Sequence, residues 1–200
     1  SVASDYCRRC GRDVSPFGIV NGRCGGCMEN SYHFDGVARV GVYESTLRSL
    51  ILAFKFSEKT ELAARLSAML RQAVMAGCFF DDIDITVPVP LHWRRKLMRG
   101  YNQSYLLAKQ IMPEDSHIST DLVRIRNTQQ QWDLTHPQRR QNVKGAFAVR
   151  KGHPFKGKTI LLVDDISTSG ATLNECAKTL KTAGAKKVYT SVLATAFHDD

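Results

Sequence analysis

The sequence holds no apolar run approaching the roughly 20 residues that a membrane-spanning helix needs, so no membrane insertion is expected of its 200 residues. The opening Ser-Val-Ala-Ser-Asp-Tyr-Cys stretch has no signal-peptide core, and the expected location is the cytoplasm. The G-x-G-x-x-G fingerprint of dinucleotide-binding folds is missing. Internal repeats and low-complexity tracts are missing too. Acidic residues are few: 19 Asp and Glu stand against 28 Lys and Arg, for a net charge of +9. That balance favours anionic partners, either phosphorylated small molecules or nucleic acid. With 43% apolar and 24% charged residues, the rest of the composition is that of a soluble globular protein.

What is present is most informative at Ile160–Thr172, which reads Ile-Leu-Leu-Val-Asp-Asp-Ile-Ser-Thr-Ser-Gly-Ala-Thr. The four apolar residues are too short a run for a helix and read as a buried strand. That strand is expected to end at Asp164 and Asp165. Small hydroxylated residues and Gly170 then form a loop. Leu173, Cys176, Ala177 and Leu180 recur at helical spacing, so the loop opens onto a helix N-terminus. Free backbone N–H groups and the helix dipole favour a phosphate there. Ser167, Thr168, Ser169 and Thr172 add hydroxyl donors, while ionised carboxylates accept from adjacent sugar hydroxyls and can hold a divalent cation. The expected ligand is a ribose 5-phosphate. The segment is not a Walker loop, since it contains no Gly-Lys-Ser/Thr.

This stretch resembles the phosphoribosyl pyrophosphate (PRPP) signature of type I phosphoribosyltransferases. The resemblance implies that Asp164 and Asp165 bind the ribose hydroxyls and help orient Mg²⁺. It also implies that Ser167, Thr168, Ser169, Gly170, Ala171 and Thr172 cradle the 5-phosphate. In 6-oxopurine transferases an acid in this loop can act as base toward the purine. The matching residue here is Thr168, which disfavours hypoxanthine or guanine salvage.

Residues 1–35 carry few apolar side chains and could not fold on a core of their own. Cys7-x-x-Cys10 and Cys24-x-x-Cys27 lie thirteen residues apart, a spacing that lets four thiolates converge on one structural Zn²⁺. A pair of disulfides is the other reading of these cysteines. A zinc-ribbon module over 1–35 and a larger domain over 36–200 are therefore expected.

Past Val37 the pattern alternates. Val37–Val42 reads as a strand, Leu47–Phe54 and 61–75 as helices, and Ile83–Val89 as a strand. Tyr101–Ile111 reads as a helix, 122–125 and 146–149 as short strands, and 187–196 as the last strand. Strands alternating with helices predict an α/β fold with a mostly parallel, doubly wound sheet, and ligands bind such sheets beyond the carboxyl ends of the strands. The segment 127–142 has no regular period, and the resemblance to type I phosphoribosyltransferases implies that it is the mobile loop that closes over PRPP.

Leu91–Ser104 places Arg94, Arg95, Lys96 and Arg99 between a strand and a helix, with no acid among them. Guanidinium groups bind phosphate oxygens bidentately, so this reads as a pyrophosphate cradle. A C-x-x-C pair in front, a Pro-x-Pro strand end, the basic residues and Arg99-Gly100-Tyr101-Asn102-Gln103 together resemble the ComF family. Thr128, Gln131, Leu134, Arg139 and Asn142, followed by Gly145-Ala146-Phe147, match its central loop.

That resemblance implies a type I phosphoribosyltransferase fold behind a zinc ribbon, in a protein of bacterial competence and DNA uptake. It implies PRPP and single-stranded DNA as partners, together with other DNA-uptake proteins. Thr128, Gln131, Arg139, Arg140 and Asn142 would sit in a lid over PRPP. Catalysis, if it occurs, would be a pentosyl transfer with Mg²⁺-pyrophosphate leaving, supported by Asp164, Asp165, Arg99 and Arg139. The alternative is a single-stranded DNA-binding protein that keeps PRPP as a ligand. Trp93 and Tyr101 beside the basic cluster suit base stacking, but two adjacent acids suit PRPP better than DNA.

Overall fold

A computed structural model describes residues 6–15, 17–56, 60–77, 79–94, 97, 100–112, 116–129 and 134–196. The described residues form seven strands: β1 (Gly36–Val42), β2 (Ile85–Pro88), β3 (His117–Ile118), β4 (Leu122–Arg124), β5 (Phe147–Val149), β6 (Thr159–Ser167) and β7 (Lys187–Thr195). Five of them form one sheet in the order β1-β7-β6-β2-β3, with every neighbouring pair parallel. β4 and β5 pair antiparallel in a separate ribbon. The helices are α1 (Gly25–Glu29), α2 (Ser45–Phe56), α3 (Thr60–Met75), α4 (Gln103–Ile111), α5 (His136–Val143) and α6 (Ala171–Thr182).

The period of two along β6 divides the core. Ile160 and Leu162 join a cluster with Leu173, Cys176 and Leu180 of α6, and with Phe147 and Phe155. Leu161 and Val163 face the opposite cluster, with Ile51 and Phe54 of α2, Leu66 and Leu70 of α3, and Leu107 and Ile111 of α4. Helices thus cover both faces, as a parallel sheet requires. The α/β fold with a parallel sheet is as the sequence predicts, and Cys176, on the apolar face of α6, is a buried core thiol.

Three expectations change. The strand does not stop at the acids: β6 runs on through Asp164 and Asp165 to Ser167, because its ladder with β7 continues to the pair Ser167–Thr195. The joining loop shortens to residues 168–170, since Ala171 and Thr172 already belong to α6. The segment 127–142 is not wholly irregular, for its last residues form α5. Thr135 caps that helix, with Gln138 Oε1 accepting from its N–H at 2.8 Å and Pro137 in the first turn. The helix is polar, so it gives no apolar period.

Gly152–Thr159 fits the G-x-x-x-x-G-K-T pattern of a phosphate loop, but in the wrong context. It leads into β6 instead of joining a strand to a helix. Lys158 Nζ is bound to Asp84 at 3.0 Å, so this match is a turn and not a nucleotide site.

The N-terminal residues pack on the β1 side of the sheet. The Val37 N–H donates to the Arg8 carbonyl oxygen at 2.8 Å. Gly11, at φ 84°, lies where a Cβ would stand 3.2 Å from Thr195 and Val37 side-chain carbons, so only glycine permits this approach. Arg39 of β1 is 3% exposed and reaches out of the sheet. It donates to the Gly11 carbonyl at 2.9 Å and to Thr195 Oγ1, and pairs with Asp13.

Candidate functional site

The carboxyl end of β2 lies beside the middle of β6, with Pro88 paired to Val163 and the Val89 N–H donating to the Val163 carbonyl at 2.8 Å. Asp164 and Asp165 follow directly on β6. Consecutive strand residues point to opposite faces, and the two carboxylates accordingly have different partners. Asp164 Oδ1 accepts from Ser104 Oγ at 2.9 Å and from the Asp165 N–H at 2.9 Å. Asp165 Oδ2 lies 3.1 Å from Lys55 Nζ, at the C-terminal end of α2. Burial, with the neighbouring Asp165 charge adding to it, raises the Asp164 carboxyl to about 7.

The motif before α4 builds the frame around these acids. Asn102 caps α4, accepting from the Ser104 N–H at 3.1 Å, and its amide donates to the Val89 carbonyl at 3.1 Å. The Tyr101 hydroxyl donates to the Phe54 carbonyl, and the Gln103 amide reaches the Lys55 carbonyl at 3.5 Å. Tyr101–Ser104 therefore ties α2, β2 and Asp164 into one corner.

Beyond the acids, Gly170 adopts φ 71° at the N-cap of α6, a left-handed conformation that glycine adopts without strain. This tight turn aims the first N–H groups of α6 into a small recess lined by Ile166, Ser167, Thr168, Gly170, Ala171, Thr172 and Leu173. Ser167 and Ser169 are buried, and Ser169 Oγ accepts from the Ala171 N–H at 3.4 Å.

Other expected site residues divide. Arg94 follows the end of β2 and is exposed, with its guanidinium 5.3 Å from the Trp93 ring centroid. Arg95 and Arg99 lie outside the described residues, as does Gln131. Thr128 is buried and accepts from Arg124. Asn142 clasps Gln129, accepting from its N–H at 3.2 Å and donating to its carbonyl at 2.9 Å. Arg139 is half-buried on α5. Arg140 donates to Asn30, just past α1, so α5 touches the cysteine-bearing end of the chain.

Cys7, Cys10, Cys24 and Cys27 form the second centre. Their sulfurs all lie within 4.8 Å of one another, and all four residues are buried. Cys7 and Cys27 sulfurs are 3.7 Å apart and Cys10 and Cys24 sulfurs 3.5 Å, so these are free thiols in contact and not disulfides. A hydrogen bond from the Cys10 thiol draws Cys7 well below the usual thiol range. The same contact, with burial, pushes Cys10 up. Four soft donors at this spacing suit a tetrahedral Zn²⁺. Tyr32 packs against both this cluster and the core beside α6, and its ring lies next to Gly170. The His33 N–H donates to Asn174 of α6 at 2.6 Å.

Lys55, Ser104 and Tyr32 are site residues that sequence reasoning missed. Only Ser104 carried a local signal, two residues after a helix-capping Asn.

Residues 97–199 match the phosphoribosyl transferase domain family. Competence protein F of Haemophilus influenzae is 32% identical over 198 residues, spanning 96% of this chain and 85% of that protein. The chain belongs to the ComF family. Another member, DNA utilization protein YhgH of Escherichia coli strain K12, is 34% identical over 171 residues, covering 82% of this chain and 74% of its own. A solved structure of glutamine phosphoribosylpyrophosphate amidotransferase from B. subtilis is similar at 13% identity with a TM-score of 0.45, over 71% of this chain and 30% of that one. Among the described residues of this ComF-family chain, no helix is long and apolar enough to cross a membrane.

Proposed function

We propose that this protein binds PRPP at the carboxyl edge of β6 and transfers its phosphoribosyl group to a nucleophilic acceptor in the cytoplasm, in the service of competence and DNA uptake. The observation that carries the reading is the pair Asp164–Asp165, set on one strand directly ahead of the left-handed Gly170 cap of α6. The acids accept from the ribose hydroxyls, and residues 167–172 with the α6 N-terminus hold the 5-phosphate. Arg94, Arg95 and Arg99 hold the pyrophosphate, with Arg139 or Arg140 supplied by the lid. Displacement at C1 passes through an oxocarbenium-like state, so the residues act by positioning and by stabilising charge on the leaving group. Mg²⁺ bound with the pyrophosphate would neutralise part of that charge. Its fit here is partial: Asp164 and Asp165 already have Ser104 and Lys55 as partners, so the ligand itself would supply much of the coordination.

On the same reading, Cys7, Cys10, Cys24 and Cys27 hold a structural Zn²⁺ that fixes residues 1–35 as a module against the domain of residues 36–200. The role in DNA uptake is supported by the names of the ComF relatives. A second reading, single-stranded DNA binding with little catalysis, is favoured by one feature: Trp93 is 59% exposed with Arg94 stacked on it, a combination suited to base stacking. Calorimetric titration with PRPP and Mg²⁺ decides between them. The D164N/D165N double variant is expected to lose PRPP affinity by far more than its affinity for inorganic phosphate. Equal losses, or wild-type protein that binds DNA and not PRPP, would overturn the assignment.

A further inference from the structure

Lys55 lies outside every motif that carries the PRPP reading, yet it forms an ion pair with one of the paired acids. Its Nζ is 3.1 Å from Asp165 Oδ2, and the two side chains are 19% and 13% exposed. The backbone around it is fixed from a second direction: the Phe54 carbonyl accepts from the Tyr101 hydroxyl, and the Lys55 carbonyl lies 3.5 Å from the Gln103 amide. These bonds come from Tyr101 and Gln103, so the end of α2 is clamped to the start of α4. Lys55 is thereby held beside the ribose acids, in the corner that Tyr101–Ser104 ties together.

Chemistry sets what the position is for. A largely buried lysine and aspartate gain little stability as a pair, because desolvation offsets their attraction. A cation kept there at such cost suits a site that receives a highly anionic ligand. Lysine, unlike arginine, is a compact charge on a flexible stem, able to leave one oxygen for another a short distance away. Ser104 holds Asp164 without charge, whereas the partner of Asp165 is a cation.

Resting on the PRPP reading above, we propose that Lys55 is a ligand-binding residue: it neutralises Asp165 in the empty site and moves to the pyrophosphate group of the bound ligand. The proposal gives the acids and the leaving group one shared cation. It also separates Lys55 from a residue that merely orients Asp165. An orienting lysine would serve the ribose, whereas a transferred one serves the pyrophosphate.

The test is calorimetric titration of the whole protein with two probes, inorganic pyrophosphate and ribose 5-phosphate, each with Mg²⁺. Lys55→Met is expected to weaken pyrophosphate by about tenfold or more, the worth of one charge-assisted bond, and to leave ribose 5-phosphate within about twofold, because no such bond to it is lost. Lys55→Arg keeps the charge and should recover most of the loss. Circular dichroism of both variants separates a binding defect from misfolding, and Lys55→Gln replaces Lys55→Met if the latter does not fold. Unchanged pyrophosphate binding overturns the role of Lys55, and equal loss of both probes reduces it to positioning Asp165. Wild-type protein that binds neither probe overturns the PRPP reading itself, and the Lys55 proposal with it.

Discussion

The cysteine-bearing end and the parallel sheet are stabilised by different means. Among the described residues, the buried apolar cluster at Cys7, Cys10, Cys24 and Cys27 consists of these cysteines, with Val14 and Tyr32 packed against it. The sheet is enclosed by two extensive apolar clusters, one on each face of β6. Hydrophobic burial can hold the second but has too little surface to hold the first, which needs a ligand to supply the missing free energy. The first region is therefore open to removal by chemistry that leaves the second intact. Tyr32 and Arg39 join the two, so the separation is not complete.

The largest effect should come from removing the proposed zinc. Structural zinc in small modules is worth on the order of 10 kcal/mol of apparent binding free energy. Cys10→Ser, or prolonged chelation of the wild type, is expected to strip about one equivalent of zinc, measurable by elemental analysis. Amide exchange should then accelerate through residues 6–35 while β6 and β7 stay protected. If the protection of residues 6–35 survived in zinc-free protein, the contrast between the two regions would be false.

The converse experiment attacks the core. Leu162 is fully buried between β6 and α6. Leu162→Ala should cost about 2–5 kcal/mol, the range for emptying such a site, read as a lower denaturation midpoint. Zinc stoichiometry of the folded fraction should not change, because no cysteine ligand is touched. A loss of zinc at native conditions would mean that the module depends on the sheet more than its contacts indicate.

Arg39 tests the joint. It pairs with Asp13 and donates to Gly11 and Thr195, reaching from β1 into the knuckle. Asp13 is 51% exposed, so that partner can return to water and only part of the pairing is lost. Arg39→Met is expected to cost about 1–3 kcal/mol, mainly from the buried bonds to Gly11 and Thr195. Exchange at residues 7–13 should rise while zinc stays bound. Unaltered exchange there would transfer the joint to Tyr32 and the Val37–Arg8 backbone bond.

How far the sequence revealed all this follows the same physical division. β6, its acids and the helix after Gly170 were legible because a short apolar run, two carboxylates and a helical period are local signals. So were the C-x-x-C knuckles, whose spacing is itself the geometry of a metal site. The extension of β6 to Ser167 was not legible, since it depends on register with β7, a strand twenty residues later. α5 was hidden by its polarity, although Thr135 and Gln138 form a capping signal that could have been weighed. Lys55 and Ser104 could not be assigned from sequence, because each meets its carboxylate only across the fold. Arg39 reads as a solvated charge until the knuckle is seen to cover it.

The smallest effect expected is one of pH, and it should touch only the sheet's site. Asp164 stands at about 7 against an ordinary 3.8, chiefly through burial. Between those values the folded protein keeps a proton that the unfolded chain has released. This group's contribution to stability therefore declines as pH rises toward 7 and is constant above it. Ligand binding has the opposite sign, because only the ionised carboxylate accepts from both ribose hydroxyls. PRPP affinity is expected to weaken by about tenfold from pH 8 to pH 6, as the ionised fraction falls. Zinc-bound thiols are deprotonated by the metal, so zinc content should hold over the same interval. PRPP itself titrates near this range, and Asp164→Asn supplies the correction: its profile carries the ligand's protonation alone. Wild-type and Asp164→Asn profiles of the same slope would remove Asp164 as the titrating group, and with it the assignment of this carboxylate to the ribose.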